Sequence, residues 1–263
     1  MMGFGPLLLK ELREQIRTYR LIAVAAVFVL FGILSPITDR YLKELFDAIG
    51  TTAGGLRVTV PPPSLAGAAA ELVKNLSQFG IICAALLGMG SVAWEKERGT
   101  AAMIMTKPAS RAAFLAAKLV AISLTMALAT ALGTGLAYLY VQILYPTNFP
   151  LGGYVLGALL LWWVSVIFAA ITILGSSLTR SAIAAAGMAL VALIVIGIAG
   201  SLPVVGPYMP VSLVSPTVTS AGPAIGLILG KGAGSSLGPI LFNVALVPAL
   251  FLVTWLSFRR QEL

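Results

Sequence analysis

Six runs of roughly 20 apolar residues confine this chain to one kind of structure. In hydrocarbon every backbone N–H and C=O must be paired within the segment, so each run reads as a membrane-spanning helix. The runs fall near residues 20–37, 74–94, 112–142, 153–175, 182–202 and 239–257. With 263 residues in all, little length is left for a soluble domain. The expected fold is all-α and integral to the membrane, a single transmembrane unit over 1–263.

What lies between the runs sets the orientation. Placing the N-terminus in the cytoplasm puts Lys10, Arg13, Arg17, Arg20, Lys96, Arg98, Lys107, Arg111, Lys118, Arg180, Arg259 and Arg260 on that side. Only Arg40, Lys43, Arg57, Lys74 and Lys231 fall opposite, the asymmetry that the positive-inside rule describes. Both termini are then cytoplasmic, at an inner membrane. The net charge of +8 reflects topology and anionic lipid, since there is no soluble basic domain to hold nucleic acid.

Residues 1–19 carry Leu8, Leu9, Leu12, Ile16 and Tyr19 at helical spacing, with charges on the other face, and predict a helix in the membrane interface. The extracytoplasmic loop 38–73 holds a second amphipathic stretch, Asp39 to Ile49, then Gly54-Gly55 and Pro61-Pro62-Pro63 before Ser64 restarts a helix. The segment 203–238 is apolar but broken by Pro203, Pro207, Pro210, Pro216 and Pro223, which predicts re-entrant outer helices. Within the spans, Gln78 and Asn243 are the amides to test for a substrate path, against interhelical hydrogen bonding as the simpler use. Gly133, Gly135, Gly153, Gly157 and Gly187 permit close helix approach, and Pro248 can kink the last span.

Little in the chain supports catalysis. Histidine is absent and Cys83 is alone in an apolar run, so no metal or redox centre is expected. Gly226-Leu227-Ile228-Leu229-Gly230-Lys231-Gly232 imitates a phosphate loop but is one residue short and lacks a Ser or Thr after the lysine. The span centres hold no ionisable group, and the lysines cluster at membrane edges, which leaves no buried base for a serine-lysine dyad.

The exception to this apolar monotony is Trp94-Glu95-Lys96-Glu97-Arg98-Gly99-Thr100, between spans two and three. Gly99 is suited to end a helix and Thr100 to cap the next. Residues 101–106, with Met103, Ile104 and Met105, give under two helical turns before Pro108, and Ser110 caps span three. A helix so short is marginal in water and must pack against something.

The stretch Gly88-Met89-Gly90-Ser91-Val92-Ala93-Trp94-Glu95-Lys96-Glu97-Arg98-Gly99-Thr100, continuing through Lys107-Pro108 to Lys118, together with Leu8-Leu9-Lys10-Glu11-Leu12-Arg13, resembles the permease subunits of ABC-2-type ATP-binding cassette transporters. The resemblance implies six transmembrane helices, a dimer of permeases, most simply a homodimer, and two copies of a cytoplasmic ABC ATPase that bind ATP and Mg, since this chain holds no cofactor of its own. It implies that Thr100 to Thr106 is the coupling helix, approached through Glu95, Glu97, Arg98 and Gly99. Lys10, Glu11, Arg13 and Arg17 would lie on a connecting helix, and Ser176 to Ser181 would make a smaller second contact. The implied function is a permease, of export type, coupled to a separate ATPase. Two other readings stay open: a membrane scaffold that recruits a cytosolic partner without transport, and an ATP-independent channel or carrier.

Overall fold

The computed structural model describes residues 4–49, 62–99, 110–147, 149–179, 181–215, 222–231 and 237–260. Among them the helices are α1 (Phe4–Arg17), α2 (Arg20–Ile49), α3 (Leu65–Met89), α4 (Ala93–Glu97), α5 (Arg111–Leu144), α6 (Leu151–Leu178), α7 (Ala182–Gly200), α8 (Pro223–Ile228) and α9 (Leu237–Arg259). Two 3-10 turns, Gly206–Tyr208 and Pro210–Leu213, precede α8. Six helices are long and apolar enough to cross a membrane: α2, α3 with α4, α5, α6, α7 and α9. All six expected spans are present, and the described residues form no strand.

The differences lie at the ends of spans. α2 continues unbroken to Ile49, so the predicted separate helix over Asp39 to Ile49 is the far end of the first span. Pro36 does not interrupt it, and Pro248 is likewise carried inside α9. α3 begins at Leu65, earlier than hydropathy suggests, because Ser64 caps it by accepting a hydrogen bond from the Gly67 N–H at 3.0 Å. Asp39 of α2 accepts from the Ser64 N–H at 3.1 Å, placing a carboxylate at the positive end of α3. The Tyr145 hydroxyl, just past α5, donates to the same oxygen at 2.6 Å. Burial and the hydrogen bond and negative charge of Asp39 push the Tyr145 phenol above its ordinary range. One carboxylate thus ties three helices together at the end of the bundle opposite α1.

Glycine decides how near the helices come. A Cβ on Gly32 would lie 2.2 Å from the Gly133 carbonyl oxygen, and one on Gly133 would lie 2.6 Å from that of Phe28, so α2 and α5 meet backbone to backbone. Gly153 and Gly157 do the same for α6, where Leu227 and Ile228 of α8 fill the space. Gly135 and Gly187 meet nothing. α8 ends in a Schellman turn, with Gly230 at φ +72° and the Lys231 N–H donating to the Gly226 carbonyl at 2.9 Å. The imitation phosphate loop is therefore a helix terminus whose backbone groups serve the helix.

The core lies among α2, α3, α5 and α6, around Phe28, Leu72, Leu76, Phe114, Met126 and Phe168. α7 and α9 are attached more loosely and leave Ile183, Leu190, Ile194, Ile198, Leu241 and Leu252 exposed. Asn75 shows the simple use of a span amide, donating to the Ser35 hydroxyl across the α2–α3 contact at 3.1 Å.

The two α5 glycines should respond oppositely to alanine. Gly133→Ala is expected to destabilise by about 1–3 kcal/mol through overpacking, and Gly135→Ala to stabilise by up to about 1 kcal/mol through helix propensity. Thermal unfolding in detergent measures both.

Candidate functional site

The run from α3 into the charged turn breaks at Gly88–Val92, and each of its small residues has a structural use. Gly88 lies against Thr172 of α6, and Gly90 is the seat of the Trp94 ring, which a Cβ there would meet at 2.4 Å. The Ser176 hydroxyl, from the end of α6, accepts from the N–H groups of Val92 and Ala93 at 3.1 and 2.9 Å and donates to the Met89 carbonyl at 2.8 Å. Ser176 thereby supplies the partners that the helix break leaves unpaired. Ser176 and Ser177 are fully buried, which corrects the expectation of an outer contact over Ser176 to Ser181 for these two residues, while Leu178 is exposed.

From this break α4 carries the charged residues in two directions. Glu95 turns inward, while Glu97, Arg98 and Gly99 are exposed. Lys96 reaches back to donate to the Ser177 carbonyl, and its ammonium lies 5.3 Å from the centre of the Phe258 ring. Gly99 has φ +69° and its N–H donates to the Lys96 carbonyl, ending the helix as expected. Thr100, Met103, Ile104 and Met105 lie outside the described residues. Beyond them, Ser110 caps α5 by accepting from the Ala113 N–H at 3.1 Å. The Arg111 guanidinium caps the last turn of α9, donating to the carbonyls of Phe258 and Arg259 at 3.0 and 2.9 Å.

Glu95 meets Lys118, the residue that sequence reasoning misplaced. Lys118 lies about 10 Å along α5 from Arg111 and is 2% exposed. Its ammonium is 3.0 Å from Glu11 Oε1 of α1 and 3.0 Å from Glu95 Oε1. Lys10 closes the cluster at 2.7 Å from Glu95 Oε1 and 3.2 Å from Glu11 Oε1. Burial opposes the charge on Lys10, but the hydrogen bonds and charges of Glu95 and Glu11 outweigh it and hold its pKa above the ordinary lysine range. The stability this contributes is complete below that range and is lost only as pH rises through the raised value.

The premise that no lysine is buried was therefore wrong. A serine-lysine dyad still does not form here. The Lys118 ammonium is held between carboxylates, and the hydroxyl of Ser91, beside the same cavity, donates to the Gly88 carbonyl at 2.7 Å.

α1 packs on α5 by an unexpected face. Gln15 is buried and accepts from the Thr125 hydroxyl, and Glu11 faces Lys118, while the apolar Leu9, Ile16 and Tyr19 are exposed. Arg13 and Arg17 are exposed as well. Tyr19, at φ 58°, makes the sharp corner that lets α2 start in a new direction. Just beyond it the Arg20 guanidinium lies 5.0 Å from the centre of the Trp94 ring. A cavity of about 630 Å³ opens between α1 and the turn, lined by Lys10, Gln15, Arg20, Trp94, Arg98 and Lys118 among others. The carboxylates of Glu11, Glu14 and Glu95 come within 4.8 Å of one another, a spacing that could hold a metal ion. Two lysine ammoniums fill that electrostatic role.

The remaining candidates are far from this site. Asn243 is fully buried, its side-chain amide N–H groups donating to the carbonyls of Tyr208 and Pro239 at 3.0 and 2.9 Å, while its backbone carbonyl accepts from the Trp163 indole at 3.0 Å. The Tyr208 bond holds the 3-10 segment onto α9 and the Trp163 bond joins α6 to α9, while the side-chain Oδ1 has no partner among the described residues. Gln78 is exposed on α3, in a stripe with Lys74, Ile82 and Leu86.

Residues 6–263 match the family model described as ABC-2 family transporter protein. The chain belongs to this family. It is also 32% identical over 192 residues to the uncharacterized transmembrane protein YxlG of Bacillus subtilis (strain 168), covering 71% of this chain and 72% of that protein. As an ABC-2 family member it is a multi-pass membrane protein, the permease component of an ABC transporter. Such permeases are the transmembrane parts and not the ATPases, and they associate with an ABC ATPase.

Removing the ammonium from the cluster should be costly. Lys118→Met removes the buried cation and leaves Glu11 and Glu95 only the half-exposed Lys10 between them, and is expected to destabilise by about 3–5 kcal/mol. Lys10→Ala, at a half-exposed position, should cost under about 1 kcal/mol. Comparing the two variants by thermal unfolding in detergent checks the ranking.

Proposed function

We propose that this chain lines the substrate path of an ABC exporter, working as a homodimer with two copies of a cytoplasmic ATPase that binds ATP and Mg. The observation that carries the reading is the division of charge at the turn: Glu95 is held inward by Lys118 and Lys10, while Glu97 and Arg98 are exposed. A clamped turn with free outward charges is suited to receive a partner, because the inner half fixes the geometry and the outer half sets complementarity. The coupling helix assigned to Thr100 to Thr106 follows directly from this anchored point. α1 serves as the connecting helix beside the ATPase, with Arg13 and Arg17 toward water and Leu9, Ile16 and Tyr19 in the membrane interface.

The excess of Lys and Arg at the α1 end supports a cytoplasmic location for both termini in the inner membrane. The short 3-10 and helical turns before α9 then serve as re-entrant elements on the outer side. Closure of the ATPase pair drives the two coupling helices together and rocks the permeases about their interface. Gln78 supports a path along α3, since an amide within a span is costly in lipid and is better placed against a second copy or a passing substrate. An apolar groove of about 590 Å³ between α5 and α6, lined by Ala127, Ala131, Gly135 and Trp162, suits an amphiphilic or lipid-like substrate class.

Reversing both outward charges tests the docking. Glu97→Lys combined with Arg98→Glu should lower recovery of an ABC ATPase in purifications from native membranes about tenfold while leaving the thermal stability of the chain unchanged. Undiminished recovery, also seen after Met103→Asp, contradicts a coupling role for this segment.

A further inference from the structure

We infer that Lys118 is a rivet that makes α1, the charged turn and α5 one rigid lever, so that it acts as a positioning residue for whatever docks on the turn. Three separate elements meet on its ammonium, at 3.0 Å to Glu11 of α1 and 3.0 Å to Glu95 of the turn, and Lys118 itself belongs to α5. Lys118 is 2% exposed and its two carboxylate partners are largely covered, so the pairs it makes are less screened than surface ion pairs and each element's position is costly to change alone.

Beside the rivet, α1 packs Leu7 against the apolar core. Leu9 and Ile16, like Tyr19 just past the helix, are exposed, and Glu11 and Gln15 turn toward α5. Apolar burial fixes most helices in this fold, whereas α1 adds to its Leu7 contact polar pairs that need matched geometry. The corner at Tyr19, in a left-handed conformation that a tyrosine rarely adopts, costs backbone energy that these pairs offset. The same carboxylate, Glu95 Oε1, is shared by Lys10 of α1, so α1 grips the turn directly as well as through α5. A push on the turn therefore reaches α1 and α5 together, and reaches α2 through the backbone contact of Gly133 with Phe28. Without Lys118, the exposed Lys10 is the cation left between Glu11 and Glu95, and α1 loses its tie to α5 through Glu11.

This inference rests on the permease reading for its use in transport, but the rivet itself is measurable in the chain alone. The experiment places spin labels at the exposed Leu9 of α1 and Leu124 of α5, in a Cys83→Ala background, and reads their distance distribution by pulsed electron resonance. The lysine chain and Lys118→Arg should give one narrow distribution, and Lys118→Met should give one about twofold wider. Should Lys118→Met fail to fold, Glu11→Gln, Glu95→Gln and Lys118→Met combined leave no unpaired buried charge, and this variant should be widened likewise. A distribution as narrow as that of the lysine chain, in either variant, overturns the inference. With a co-purified ATPase turning over ATP, the lysine chain should keep its narrow distribution, and a shift there also overturns it. If no ATPase co-purifies, the permease reading fails while the comparison in the isolated chain still decides the rivet.

Discussion

An ammonium buried at the end of an apolar bundle has to be neutralised where it stands, and the α1 end of this protein is organised around that requirement. Lys118 lies on the inward face of α5, and the two carboxylates that balance it come from elements far away in sequence, Glu11 and Glu95. Satisfying one charge therefore draws α1 beneath the bundle and holds the charged turn against α5. Replacing such a cluster with apolar side chains often costs nothing in stability, so its value lies in specifying one arrangement of three elements. That arrangement leaves Glu97 and Arg98 exposed beside a fixed backbone.

The opposite end uses a similar economy. Asp39 accepts from the first N–H of the α3 cap and from the Tyr145 hydroxyl, joining α2, α3 and the end of α5. Between these polar ties the helices are held by close approach, with Gly32 and Gly133 bringing two backbones together and Gly153 and Gly157 receiving α8. α7 and α9 lie outside this frame, with most of their apolar surface unburied by the chain itself. The result is a braced group of α2, α3, α5 and α6 flanked by two helices whose remaining surface is open to lipid or to another subunit.

The six spans were legible because hydropathy over about 20 residues reports burial in lipid and little else. Caps were legible for the same local reason, as Ser64, Gly99 and Ser110 show. The continuity of α2 was not, because polar residues after Ile37 suggested an exit from the membrane although the backbone stays helical through Asp39. Lys118 was misread because basic residues near span ends were counted for topology. Its register carried the missing signal: with Ser110 as cap, Phe114, Lys118, Ala121 and Thr125 fall on one face, and a lysine on a core face requires carboxylate partners. Which carboxylates these are depends on how α1 folds back, and that depends on the corner at Tyr19, where nothing in the residue type announces a positive φ.

In the proposed mechanism this ABC-2 permease receives another protein's ATP hydrolysis through the turn that Lys118 anchors. Native mass spectrometry of the complex, extracted from its own membranes with mild detergent, tests that claim most directly. The account predicts a single assembly of two copies of this chain and two of an ABC ATPase. Recovery of the chain without an ATPase, together with ATP-independent flux by the chain alone in liposomes, would contradict it.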